Sequence, residues 1–112
     1  MTSTIKGNRD GAWANVPNQP SNTIATLTYL VRNGVCYVDI YDNSSYSWTK
    51  GSWVTLGTLP VGCRPSTTVY GSWSNRDGHG GECVVTAAGA VMFNSNYTGK
   101  VFVSASLAVP LA

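Results

Sequence analysis

The 112-residue sequence predicts an all-β fold, a single antiparallel β-sandwich or jelly-roll-like barrel of about eight strands. Three observations predict it. No segment of ten residues repeats apolar side chains at a helical period. Short runs rich in Val, Thr, Tyr and Phe recur along the chain, punctuated by Gly, Pro, Asn and Ser. Two of these runs flank Asn33-Gly34, the strongest short-range hairpin signal. A chain of this length suits one domain around one modest core.

Residues 1–22 are polar, contain Pro17 and Pro20 and show neither periodicity, so they read as an N-terminal arm or linker, with the folded head over 23–112. TIATLTYLVR and VCYVDIYDN then pair through Asn33-Gly34. A two-residue turn sets Val31 opposite Cys36, Tyr29 opposite Val38 and Leu27 opposite Ile40, which places six apolar side chains on one sheet face. Leu30, Tyr37, Thr28, Asp39, Thr26 and Tyr41 take the other face. NSSYSWTKGSW reads as a polar turn region, VTLGT as a short strand closed by Pro60, and TTVYGSW as a further strand. ECVVT and AVMF flank Ala87-Ala88-Gly89, where a left-handed Gly89 would complete a bulged hairpin. The closing KVFVSASLAV alternates as a half-buried strand.

Only 11% of residues are charged, the formal net charge is +2, and lysine is confined to Lys6, Lys50 and Lys100. Without a cluster of Lys and Arg to track phosphates, nucleic acid is not an expected partner. No apolar run approaches the roughly 18 residues of a membrane span, and the N-terminus lacks the apolar core of a signal peptide. A soluble protein folded in a reducing cytoplasm, without membrane insertion, is the expectation. Cys36, Cys63 and Cys83 are odd in number and share no C-x-x-C spacing, so buried, unpaired thiols are expected, with neither a metal nor another cofactor.

GSWSNRDGHGG, residues 71–81, gathers Trp73, Arg76, Asp77 and the single histidine, His79, among Gly71, Gly78, Gly80 and Gly81. The glycines describe a surface loop, and loops on rigid scaffolds collect recognition residues. An aromatic ring offers a broad apolar face to the C–H surface of a sugar, while Asp, His and Arg satisfy its hydroxyls. Trp73, Arg76, Asp77 and His79 are therefore the first carbohydrate-binding candidates, with Tyr70, Trp48 and Trp53 as further aromatics. The alternatives are a solvated His79, and packing roles for Trp13, Trp48 and Trp53 at a domain end or subunit boundary. Hydrolysis would require two converging carboxylates. Asp77 and Glu82 are the only local pair outside the first hairpin, and Asp77 reads more simply as closing an Asx turn, so no enzymatic activity is expected.

The stretch WVTLGTLPVGCRPSTTVYG, residues 53–71, resembles the LGTLP.GYRPS segment of C-terminal head domains of bacteriophage tail fibres and receptor-binding proteins. The hairpin VVTAAGAVMF and the terminal VFVSASLAVP are similar to the later part of those heads. The likeness covers residues 23–110, is most specific at Leu59-Pro60, Gly62, Arg64 and Pro65, and departs at Cys63, where an aromatic is usual. It implies a homotrimeric head on a virion tail tip or fibre, assembled in the host cytoplasm, attached to other tail or baseplate proteins and binding host cell-wall or capsular polysaccharide. Under it residues 1–22 lead from a preceding fibre or neck. Apolar residues on both faces of the first hairpin, such as Leu30 and Tyr37, fit a trimer contact. A structural fibre-tip or collar trimerisation domain without ligand is the alternative. Pro60, Gly62, Arg64 and Pro65 read as a structural corner in either case.

Overall fold

Alternating apolar and polar side chains let each strand bury one face, and the chain satisfies this with two four-stranded antiparallel sheets. A computed structural model describes residues 14–16 and 25–111. The strands are β1 (Ala14–Asn15), β2 (Thr26–Arg32), β3 (Val35–Trp48), β4 (Val54–Thr58), β5 (Val69–Ser74), β6 (Gly80–Val85), β7 (Ala90–Phe93) and β8 (Gly99–Pro110). One sheet runs β1-β2-β3-β8 and the other β4-β7-β6-β5. Among the described residues the only helical turn is a short 3-10 segment at Val61–Cys63. The architecture is the expected all-β sandwich.

The first hairpin has the expected register, with Val31 opposite Cys36, Tyr29 opposite Val38 and Leu27 opposite Ile40. Asn33 at φ 52° and Gly34 at φ 79° supply the two left-handed residues that this turn requires. Leu27, Cys36, Val38 and Ile40 are buried, and Tyr29 and Val31 pack against them. Facing them from the second sheet are Leu56, Trp73, Val85, Val91 and Phe93, and β8 adds Val101, Val103 and Val109 to the same core.

Two segments depart from expectation. The polar region after Asp42 is a turn only in its later part: β3 continues to Trp48, with its register against β8 shifting between Asn43 and Ser47, and the turn is confined to Thr49–Ser52, closed by the Ser52 N–H donating to the Thr49 carbonyl at 3.0 Å. The bulge absorbs extra residues, so Ser47 and Trp48 still pair with Lys100 and Gly99 and the long β8 keeps a partner. Residues 71–81 are likewise a loop only in part. Gly71 to Ser74 belong to β5 and Gly80 begins β6, which leaves only 75–79 as the hairpin tip.

Most of the expected arm, Trp13 included, lies outside the described residues. Ala14–Asn15 pair with Tyr29 and Thr28, and Val16 is buried with its N–H donating to the Leu27 carbonyl at 3.0 Å. That part of the arm is an edge strand of the first sheet.

The corner around Arg64 is held as its composition suggests. Arg64 Nε donates to the Leu59 carbonyl at 2.9 Å, and the Leu59 N–H donates to the Gly89 carbonyl at 2.8 Å. Gly89 is left-handed at φ 91°, and a Cβ there would press on Arg64 Nε and the Leu59 carbonyl. Its own N–H donates to Thr86 O at 2.8 Å, closing the β6–β7 hairpin. The three cysteines are free and buried. Burial, and then the neighbouring Cys63 thiol that shares a hydrogen bond with it, push the Cys36 thiol from 9.0 up to about 12. Burial alone raises Cys83.

Candidate functional site

Asn75 organises the β5–β6 tip. Its Oδ1 accepts the backbone N–H groups of Asp77 at 2.9 Å and His79 at 3.0 Å, and its Nδ2 donates to the Phe102 carbonyl on β8 at 2.7 Å. The Asx turn expected at Asp77 is therefore made by Asn75, two residues earlier. An asparagine can do both jobs because it carries acceptor and donor on one amide. The tip is thereby fixed to the end of the first sheet.

Trp73 is not a platform for a ligand. It is 5% exposed, its ring lies tilted against Phe93 with centroids 6.1 Å apart, and its indole N–H donates to the Asn94 carbonyl at 2.7 Å. The same Asn94 accepts the Glu82 N–H through Oδ1 at 2.7 Å and donates to the Glu82 carboxylate through Nδ2 at 3.3 Å. Gly80 N–H and Asn96 N–H complete the seam, donating to Asn96 Oδ1 at 3.1 Å and Gly80 O at 2.7 Å. A Cβ at Gly80 would collide with the Trp73 carbonyl, and one at Gly81 with the Asn94 carbonyl. These glycines admit a neighbouring stretch of the same chain.

The other candidates are dispersed. Arg76 is exposed, with its guanidinium carbon 5.2 Å from the centre of the Phe102 ring, and Asp77 is exposed at the tip. The His79 ring, half-buried, stacks on Tyr97 at 4.2 Å between centroids. Trp48 is buried edge-on to Tyr46 and its indole N–H has no hydrogen-bond partner. Trp53 is exposed just before β4. Tyr70, 78% exposed on β5, borders a small groove between the edges of β5 and β8. No described contact joins Trp48, Trp53 or Tyr70 to the tip.

A more coherent constellation lies on the outer face of the first sheet. Tyr37, Asp39 and Tyr41 alternate with buried Val38 and Ile40 along β3, and both tyrosines are exposed, at 37% and 48%. The Ser106 hydroxyl of β8 donates to Asp39 Oδ1 at 2.7 Å. A groove of about 470 Å³ opens here, lined by Leu30, Arg32, Tyr37, Asp39, Ser106 and their neighbours Leu107 and Ala108. Further along the same face, outside the groove, Tyr41 meets Phe102 edge-on at 5.7 Å, beside Arg76. Of the tip candidates only Arg76 is thus joined to this face. The alternation of the first hairpin placed Tyr37, Asp39 and Tyr41 together on the non-core face; what sequence reasoning missed is that no other part of the described chain covers the two tyrosines.

Among the described residues no cluster of His, Cys, Asp and Glu could hold a metal ion, and no helix is long and apolar enough to cross a membrane. Comparison with protein-family models, with curated proteins and with solved structures finds no match.

Proposed function

We propose that this chain is the receptor-binding head of a bacteriophage tail adhesin, a non-enzymatic homotrimer on the virion that attaches to host cell-wall or capsular saccharide. The phage assignment rests on the sequence likeness centred on Leu59-Pro60, Gly62, Arg64 and Pro65. The binding reading rests on one observation above all, the exposed Tyr37 ring beside Asp39 in an open groove, with a second exposed ring, Tyr41, following Asp39 on the same strand face. Tyrosine presents an apolar face and a hydroxyl at once, and a carboxylate beside it accepts hydrogen bonds from sugar hydroxyls. Weak single sites suffice for such a protein, because three sites per trimer act at high effective concentration.

The test is binding of the purified full chain to an array of bacterial wall and capsule glycans, repeated with Tyr37→Ala and Asp39→Ala. Each variant should lose roughly 1–3 kcal/mol of binding, the scale of a lost anchor contact or charged hydrogen bond. Binding unaffected by both substitutions would move the site elsewhere, and release of reducing ends from a bound glycan would make the protein an enzyme.

The structural alternative, a fibre-tip trimerisation domain, claims the same face. Leu30 is buried although it points away from the main core, beside the exposed Tyr37 on the neighbouring strand. If that face is a subunit contact, light scattering on Tyr37→Ala will show a loss of mass relative to the parent trimer. If it is the binding site, the trimer will persist and only glycan binding will fall. A monomer mass for the parent at micromolar concentration would remove the trimer from both readings.

A further inference from the structure

We infer that the outer face of the first sheet is an open-ended track for the interior of a polysaccharide chain, with Tyr37 and Tyr41 supporting different sugar rings. The inference rests on the saccharide-binding reading above and specifies what kind of saccharide the site takes.

Register carries the argument. Three ranks of side chains cross the face from β2 through β3 to β8: Leu30, Tyr37 and Ala108; Thr28, Asp39 and Ser106; Thr26, Tyr41 and Ser104. The first rank is apolar around its tyrosine. The other two border β3 with hydroxyls on both sides. Four residues of extended strand separate the Tyr37 and Tyr41 Cα atoms by about 14 Å, more than one sugar ring spans. A single ring can rest on one tyrosine or the other, and only a chain of several rings engages both. Asp39 sits midway, where its carboxylate has acceptor capacity beyond the bond from Ser106 and can take hydroxyls of the intervening unit.

The ends of the row point the same way. A pocket for a chain terminus encloses it, whereas both tyrosines stay substantially exposed on a sheet surface. Beyond Tyr41 the surface is carried on by Phe102 and the exposed guanidinium of Arg76. At the Tyr37 end the groove offers Leu30 and Arg32 as its border. Binding one ring then holds the next above the second platform, so affinity must rise with chain length.

The experiment uses the full chain and size series of bacterial wall and capsule glycans from one to six units, read by equilibrium binding. The longest member of a bound series should bind at least about tenfold more tightly than its monosaccharide, the gain expected when a second contact becomes intramolecular. Tyr41→Ala should bring the long oligomer down to the affinity of the short one, while the short one, which still has Tyr37, changes by no more than about twofold. Tyr37→Ala should weaken long oligomers as well, and Val61→Ala, at an exposed position on the β4–β5 connection, should change neither. Thermal melts of each variant confirm that the fold is intact. A monosaccharide that binds as tightly as its oligomers, or a Tyr41→Ala variant that loses nothing or loses equally at every length, overturns the track. If the parent binds no glycan of any length, the saccharide reading itself falls and the track falls with it.

Discussion

The indole N–H of Trp73 donates to the carbonyl oxygen of Asn94 at 2.7 Å, tying β5 to the connection between β7 and β8. The bond turns the most conspicuous aromatic of the glycine-rich segment into a structural member. Trp73→Ala should therefore lower unfolding stability by about 3–5 kcal/mol, as large-to-small changes in a packed core do. Trp73→Phe keeps much of the packing against Phe93 but leaves the Asn94 carbonyl unpaired, a smaller loss of roughly 1–3 kcal/mol. Urea denaturation separates the two, and a Trp73→Ala midpoint equal to that of the parent would contradict the packing role.

Gly80 and Gly81 allow the same seam to close. Alanine at either position must displace backbone, since its Cβ would fall on the Trp73 or Asn94 carbonyl. Both substitutions should cost stability toward the upper end of the roughly 0.5–3 kcal/mol typical of single changes. Gly62 has open space around it and no left-handed φ, so Gly62→Ala should stay within about 0.5 kcal/mol of the parent. Melting temperatures of the three variants test the ordering.

What the sequence made legible was local. Asn33-Gly34 and Thr86–Gly89 announced their hairpins because turn chemistry is written in adjacent residues, and alternation along β2 and β3 then set their register. The continuation of β3 past Asp42 was not legible, because the partner that makes Ser47 and Trp48 a strand is the distant β8. The glycines of 71–81 misled for a related reason. A glycine needed for a left-handed turn and one needed for close approach of a remote carbonyl look alike in sequence, and Gly80 and Gly81 are of the second kind. Trp73 was displaced from the candidate site by the same contacts. Tyr37, Asp39 and Tyr41 were correctly grouped on one face, but exposure depends on what the rest of the chain covers.

Two arginines should behave oppositely. Arg64 Nε is a partly buried donor to the Leu59 carbonyl at the corner within the β4–β5 connection. Arg64→Ala should lose about 1.5–3 kcal/mol, the range for hydrogen bonds involving a charged group. Lysine should rescue it poorly, because an ammonium on a flexible stem does not reproduce the fixed geometry of Nε. Arg76 is exposed over Phe102, and Arg76→Ala should cost no more than the roughly 0.5–1 kcal/mol of an exposed cation–π contact. Chemical denaturation of both variants compares them directly.

The buried thiols give stability a dependence on alkaline pH. Burial and the adjacent Cys63 hold the Cys36 thiol protonated until about pH 12, against the ordinary thiol value of 9.0. Below pH 9 both the folded and the unfolded chain keep this proton, and the contribution to stability is constant. Between 9 and 12 the unfolded chain releases the proton while the folded one retains it. The unfolded state then binds fewer protons, and stability falls as pH rises. Cys83, raised by burial, acts in the same direction. Every other group is common to parent and variant, so the difference between them isolates the thiol. Cys36→Ala should start from a lower stability at pH 7, because it leaves a small cavity in the core, and should then decline less steeply between pH 9 and 12. Urea midpoints measured at intervals across that window check it. Parallel decline in the two proteins would mean that the Cys36 thiol ionises as readily inside the sandwich, where it is buried between β2 and β8, as in the unfolded chain, and would overturn this account.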